Sequence, residues 1–206
     1  MNYDFIKRIF DIIFSFVLAV VFLPVWIVIP ILIKLDSKGP IFFKHKRMGK
    51  NGKEFWMYKF RTMVADADEI LHKKDKKLLE EFKNSDWKLE NDPRITKLGR
   101  LIRNLTIDEF PQLYNVFKGE MSVVGPRAYV KIEIKEQTKK YPKTKKLLKD
   151  IFKVKPGITG PWQVSGRNEI PFVKRAKMDS DYAKNYNLDV DLEIVLKTPQ
   201  AMITKW

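Results

Sequence analysis

IIFSFVLAVVFLPVWIVIPILI, residues 12–33, runs for 22 positions without one charged side chain. As one helix it would be about 33 Å long at 1.5 Å per residue, enough to cross the hydrocarbon of a bilayer. It is too long for the apolar stretch of a cleaved signal peptide, and no small-residue cleavage site follows it. A buried core helix seldom runs this far without a polar face. Two prolines interrupt it: Pro24 removes the hydrogen bond due to the carbonyl of Val20, and Pro30 the one due to Trp26. Split at Pro24, the halves 12–23 and 25–33 are each too short to span, so a kinked helix could enter and leave through one leaflet.

The flanks favour that geometry without deciding it. Lys7 and Arg8 precede the segment, and residues 34–65 carry nine Lys and Arg against Asp36 and Glu54. Basic residues mark the cytoplasmic side, and here they lie on both sides of the apolar block. Asp4 and Asp11 offset Lys7 and Arg8, however, so physical reasoning leaves a re-entrant and a spanning helix near parity.

Beyond the block the chain is a charged, foldable body. Of 206 residues, 40 are Lys or Arg and 25 Asp or Glu, a formal net charge of +15, while 45% are hydrophobic. That apolar fraction excludes wholesale disorder. The absence of cysteine excludes disulfides, zinc fingers and a thiol nucleophile, and two histidines, His45 and His72, make a His-based metal site improbable.

Local signals give a coarse layout. Gly49-Lys50-Asn51-Gly52 between Ile41-Phe42-Phe43 and Phe55–Phe60 predicts a hairpin. Residues 65–90 carry helical spacing, broken at Asn91-Asp92-Pro93, and a short helix is expected over Thr96–Arg103. Thr106-x-x-Glu109 reads as a capping box ahead of Phe110, Leu113, Tyr114 and Val116, with Gly119 ending that helix. Residues 131–155 hold ten lysines, a glycine-rich loop covers 156–161, and two helical pieces are expected from Phe172 to the C-terminus. The expectation is an α+β chain, mainly helical, with a short hairpin.

The positive charge calls for a polyanionic partner: nucleic acid, anionic headgroups or a phosphorylated small substrate. No zinc finger, RNP aromatic set or GXXG clamp is present, so nucleic acid is not expected. A basic surface beside a membrane attracts anionic lipid at about 1 kcal/mol per Lys or Arg, which accounts for the lysines. Arginine is the sharper phosphate signal because its fork binds bidentately. Arg61, Arg94, Arg100, Arg103, Arg127 and Arg167 all fall in segments punctuated by Gly or Pro.

Asp108-Glu109 is the one adjacent acidic pair set among such arginines. Alone it reads as a helix-start feature, Glu109 closing the box and Asp108 favouring the dipole. Arg103 before it and Gly125-Pro126-Arg127 after it add a chemical reading. A carboxylate can attack phosphorus to give an acyl-phosphate, and its neighbour can help hold Mg²⁺, which prefers one or two carboxylates plus substrate phosphates.

These segments resemble the bacterial sugar transferases, the monotopic phosphoglycosyl transferases. The likeness is carried by Lys7-Arg8-Ile9-Phe10-Asp11, Gly39-Pro40-Ile41-Phe42-Phe43, Tyr58-Lys59-Phe60-Arg61-Thr62-Met63 and Asp92-Pro93-Arg94-Ile95-Thr96. It continues through Asp108-Glu109-Phe110-Pro111-Gln112-Leu113, Lys118-Gly119-Glu120-Met121-Ser122 and Val124-Gly125-Pro126-Arg127. Lys155-Pro156-Gly157-Ile158-Thr159-Gly160 and Trp162-Gln163-Val164-Ser165-Gly166-Arg167 complete it, so nearly the whole chain is covered in order.

The resemblance implies a re-entrant anchor over residues 1–36, kinked at Pro24, and a catalytic body over 37–206 on the cytoplasmic face of a bacterial inner membrane. It implies transfer of sugar-1-phosphate from a UDP-sugar to polyprenyl (undecaprenyl) phosphate, with release of UMP. Asp108 would be the nucleophile and Glu109 would position Mg²⁺. Arg103 and Arg127 would hold phosphate oxygens, with Lys59 and Arg61 on the phosphate side, Gln163 and Arg167 near substrate, and Asp179 orienting an arginine. Segment 66–90 and the Trp162–Arg167 motif resemble exopolysaccharide and O-antigen initiating enzymes, which points to a UDP-hexose. A homodimer stays open. Leu23, Ala128 and Pro161 depart from the family pattern, where Ser, Pro and an apolar residue are common. The competing reading is a membrane-tethered basic adaptor that binds anionic lipid or polymer without catalysis.

Overall fold

In the first helix the usual polarity is inverted. The structure, a computed structural model, describes residues 3–84, 89, 91–166 and 170–203. Helix α1 (Tyr3–Val21) buries Lys7, Asp11 and Ser15, which fall four residues apart on one face. Phe5, Ile9, Ile12, Ile13, Phe16, Val17 and Val20 are exposed instead. A soluble helix does the reverse. Its buried polar stripe is matched by the body: Asp11 Oδ1 accepts from Ser122 Oγ at 2.8 Å and from the Val123 amide at 2.9 Å. Lys7 donates to the fully buried Asp191, which also accepts from Tyr3 Oη at 2.6 Å.

Helix α2 (Leu23–Asp36) follows after a single residue, and the pair is bent by 62°. The break falls at Phe22, ahead of the expected kink residue. Pro24 is the second residue of α2, where an amide would have no intrahelical acceptor anyway, so it starts the second helix. Pro30 is accommodated inside α2. Among the described residues no single helix is long and apolar enough to cross a membrane. The bend lays α2 on the body: Phe22 meets the Phe110 ring edge-on at 5.1 Å, and Ile29 and Ile33 pack with Phe60 and Ile102.

The predicted hairpin is present. Strands β1 (Phe42–Met48) and β2 (Glu54–Phe60) pair antiparallel from Phe42↔Phe60 to Met48↔Glu54. Segment 65–90 is helical in its described part: α3 (Ala67–Glu69), a wide turn over Ile70–Lys74, and α4 (Lys76–Asn84). Helix α5 (Lys97–Asn104) is capped by Thr96, whose Oγ accepts from the Gly99 amide at 2.9 Å. A tight turn (Ile107–Glu109) leads into α6 (Gln112–Lys118), which Gly119 ends at φ 77°.

The second sheet was not expected. Strands β3 (Ser122–Val124) and β4 (Gly157–Thr159) pair in parallel, Ser122 with Gly157 and Val124 with Thr159. Between them lie α7 (Lys131–Lys140) and α8 (Thr144–Ile151), and α9 (Phe172–Asn185) and α10 (Leu188–Ile203) close the described chain. The fold is thus mainly helical with two small sheets. The principal core gathers Phe55 and Met57 of β2, Val116 of α6, Val123 and Val124 of β3, Tyr182 of α9 and Ile194 of α10.

Candidate active site around Asp108

One buried side-chain amide sets the position of the acidic pair. Asn115 on α6 is fully buried; its Oδ1 accepts from the Tyr58 amide at 3.1 Å and its Nδ2 donates to Trp56 O at 2.7 Å. The helix is thereby tied to the edge of β2. Lys59, the next strand residue, faces the turn that carries Asp108 and Glu109.

The capping box does not form. Thr106 adopts φ 58°, ψ 17°, a left-handed conformation uncommon for a threonine, and its side chain makes no capping bond. Residues 107–109 are a 3₁₀ turn and α6 begins only at Gln112. Glu109 Oε1 accepts instead from Lys59 Nζ at 2.6 Å. The same Nζ lies 3.2 Å from Asp108 Oδ2. Asp108 is buried, and among the described residues its Oδ1 has no partner.

The electrostatics follow from this arrangement. Burial raises the Asp108 pKa, and the Glu109 charge adds to that, while Lys59 and Arg103 act in the opposite sense. Burial works against the Lys59 ammonium, but the two carboxylates win and hold its pKa above the ordinary value. Arg103 is fixed by Nε donating to Thr62 Oγ1 at 2.8 Å; burial lowers its pKa, and its charge acts on Asp108.

The other expected residues divide. Arg61 lines the cleft, with Nε buried and without a partner among the described residues, while its Nη atoms donate to the carbonyls of Ser37, at 2.7 Å, Lys38 and Ile33, at the C-terminal end of α2. Those carbonyls lack intrahelical partners and attract a cation. Gly39 is required beside it, because a Cβ there would lie 2.1 Å from Arg61 Nη1 and φ is +128°. Gln163 lines the cleft with a buried, unpartnered Oε1. Asp179 is fully buried and orients the arginine loop through the backbone, accepting from the Arg127 amide at 3.1 Å and from Tyr129 Oη at 2.8 Å. Burial pushes its pKa up to about 7 against those bonds. Arg167 lies outside the described residues. The Ala128 loop is pinned, its carbonyl accepting from Arg47 Nη1 at 3.1 Å and the next carbonyl, of Tyr129, from the Met48 amide at 2.9 Å.

Two cleft residues escaped sequence reasoning. Arg47 lies on β1 and Arg175 on α9, and both line the same cleft as Lys59, Asp108, Glu109 and Arg127. The one sequence signal for Arg175 is its position four residues before Asp179, on the same helical face. The cleft encloses about 1970 Å³ and is open to solvent. Ordinary small-molecule pockets hold about 300–1,000 Å³, so two substrates fit. Among the described residues no three His, Asp or Glu side chains converge as a metal cage. Asp108 and Glu109 suit Mg²⁺ in another way, as an adjacent hard-oxygen pair with one orphaned buried oxygen.

Sequence comparison gives the class of enzyme to which this fold and site belong, the sugar transferases. Residues 2–205 match the family described as Bacterial sugar transferase. The chain is 39% identical over 201 residues to the exopolysaccharide production protein ExoY of Rhizobium meliloti, covering 95% of this chain and 84% of that protein. It is 40% identical over 210 residues to the undecaprenyl-phosphate galactose phosphotransferase of Salmonella typhimurium, and 39% identical over 197 residues to the UDP-galactose-lipid carrier transferase of Erwinia amylovora. These matches cover 98% and 94% of this chain but only 41% and 39% of those two proteins. The chain belongs to the bacterial sugar transferase family and is a transferase of that class.

Proposed function

We propose that the protein moves sugar-1-phosphate from a UDP-sugar, a UDP-hexose by preference, to polyprenyl phosphate such as undecaprenyl phosphate. The reaction opens exopolysaccharide or O-antigen assembly. The observation that carries this reading is the buried, unpartnered Oδ1 of Asp108, beside an Oδ2 engaged by Lys59. One oxygen is positioned and the other is available to attack.

Asp108 Oδ1 attacks the β-phosphorus, the bond to the α-phosphate oxygen breaks, and UMP departs with that electron pair. An oxygen of polyprenyl phosphate then attacks the same phosphorus. The bond to Asp108 breaks, giving polyprenyl-diphosphate-sugar and restoring the carboxylate. Lys59 lowers the Asp108 pKa against the burial that raises it, which favours the ionised form, and Arg103 and Arg127 bind phosphate oxygens that would otherwise repel the carboxylate. Glu109 would hold Mg²⁺, which when bound neutralises charge on the diphosphate.

The outward apolar face of α1 and the bend at Phe22 support a re-entrant anchor over residues 1–36. Such an anchor puts the body, residues 37–206, at the headgroup plane of the cytoplasmic face, where the acceptor phosphate lies. The size of the cleft supports binding of both anionic substrates. Incubation with UDP-sugars, Mg²⁺ and undecaprenyl phosphate tests the reading. Multiple-turnover UMP release that requires the lipid, and that Asp108→Asn abolishes, is the expected result. No release with any common UDP-hexose or UDP-N-acetylhexosamine would leave only a tethered basic adaptor.

A further inference from the structure

Arg175 is buried, 6% exposed, and its Nε and Nη1 find no acceptor among the described residues. An unpaired buried donor is costly, and a buried guanidinium more so. Its surroundings add positive charge. Arg127 lies over the Trp162 ring at 4.9 Å from the centroid, and Arg175 lies over the same ring at 5.6 Å. Arg127 Nε is also buried without a partner, as is Nε of Arg47, whose Nη1 holds the Ala128 carbonyl. Among the described residues, three forks that line one cleft therefore keep buried donors without an acceptor, although Glu133 lines the same cleft and its charge acts on Arg47 and Arg175, and Asp179 does not answer them either. Asp179 Oδ2 is engaged by Tyr129 and the Arg127 amide, and its Oδ1 is unpartnered.

Cation–π attraction to Trp162 accounts for the place of the two guanidinium groups, but it supplies no acceptor oxygen for their unpaired N–H donors. Burial and Arg127 both depress the Arg175 pKa, and burial with Arg127 brings Arg47 down to about 10. This cluster is strained by its own charge and suits a dianion that supplies oxygens to several forks.

We infer that Arg175 and Arg47, grouped with Arg127 against the Trp162 ring, form a second phosphate-binding site in the cleft, one that shares Arg127 with the set at the nucleophile. The inference rests on the proposed reaction for the source of the phosphate: the leaving nucleotide's α-phosphate or the acceptor lipid's phosphate. Both are the same chemistry, and both must sit beside the sugar-bearing phosphorus at some stage.

The full chain in detergent micelles, as wild type, Arg175→Gln and Arg47→Gln, tests it. Calorimetric titration with UMP and with inorganic pyrophosphate should show affinity weaker by about tenfold or more in both variants. Without ligand, Arg175→Gln should melt at or above the wild-type temperature, because a buried charge with unpaired donors is removed, whereas Arg47→Gln also loses the bond to the Ala128 carbonyl and is read by affinity alone. A raised KM for UDP-sugar assigns the site to the donor, and a raised KM for polyprenyl phosphate assigns it to the acceptor. Affinities and both KM values within twofold of wild type overturn the inference. So does a ligand-free melting temperature that falls in Arg175→Gln along with affinity, which marks a structural role. Arg175-dependent pyrophosphate binding by a protein without turnover would uphold this site while refuting the proposed reaction. Turnover insensitive to both substitutions would do the opposite.

Discussion

Lys59 Nζ stands 3.2 Å from Asp108 Oδ2, and the other oxygen of that carboxylate has no partner among the described residues. The ammonium favours the charged form of this buried carboxylate. Burial raises the Asp108 pKa and Lys59 lowers it, so removing Lys59 raises it further. Attack requires the ionised form. Lys59→Met should therefore move the acid limb of the kcat/KM profile to higher pH and reduce kcat/KM at neutral pH by about 100-fold. An unshifted limb in the variant contradicts this role.

Asp11 ties α1 to β3 through Ser122 Oγ and the Val123 amide. Asp11→Ala leaves both donors buried and unpaired, at about 1–3 kcal/mol each. Denaturant melts in detergent should show a loss of about 2–6 kcal/mol for the two donors together, while Ile12→Ala, on the exposed apolar face, should leave the body's stability unchanged. Equal stability of Asp11→Ala and wild type would mean that the clasp does not hold the helix.

Gly99 fixes how close α5 comes to the strand exit, since a Cβ there would lie 2.0 Å from the Thr62 carbonyl oxygen. Thr62 also accepts from Arg103. Gly99→Ala should displace the helix, cost about 1–3 kcal/mol of stability and lower kcat/KM by about 100-fold. Thermal melts and steady-state kinetics read both effects, and wild-type kinetics in a destabilised variant would separate α5 placement from catalysis.

The chain contains no cysteine, so single-cysteine labelling has no background. Asp4→Cys and Lys38→Cys flank the bent helix pair at exposed positions. In sealed inverted inner-membrane vesicles an impermeant maleimide should label both. Labelling of one only from the opposite face would show a spanning helix.

What the sequence disclosed was local. The Asn51-Gly52 turn, the short helix after Thr96 and the Gly119 stop each depend on neighbours within a few residues, and each formed. The apolar block was legible as a membrane-seeking segment, but the polar stripe of α1 was not, because Lys7 needs Asp191 and Asp11 needs Ser122. The capping box failed because Thr106 turns left-handed and Lys59, from a distant strand, takes Glu109. Arg61 looked like a phosphate ligand for want of knowing that α2 ends beside it. Arg175 drew no reading from the sequence, because its neighbour Trp162 is distant along the chain and the β3–β4 pairing beside it gave no periodic signal.

The covalent step is the centre of the account. Purified protein given UDP-sugar and Mg²⁺ without any acceptor lipid, then quenched in acid, should gain the mass of one sugar-phosphate on the peptide containing Asp108. One equivalent of UMP should appear with it, and Asp108→Asn should show neither. Turnover in the presence of polyprenyl phosphate, with no adduct and no acceptor-free UMP, would contradict the account and require direct transfer between the two substrates.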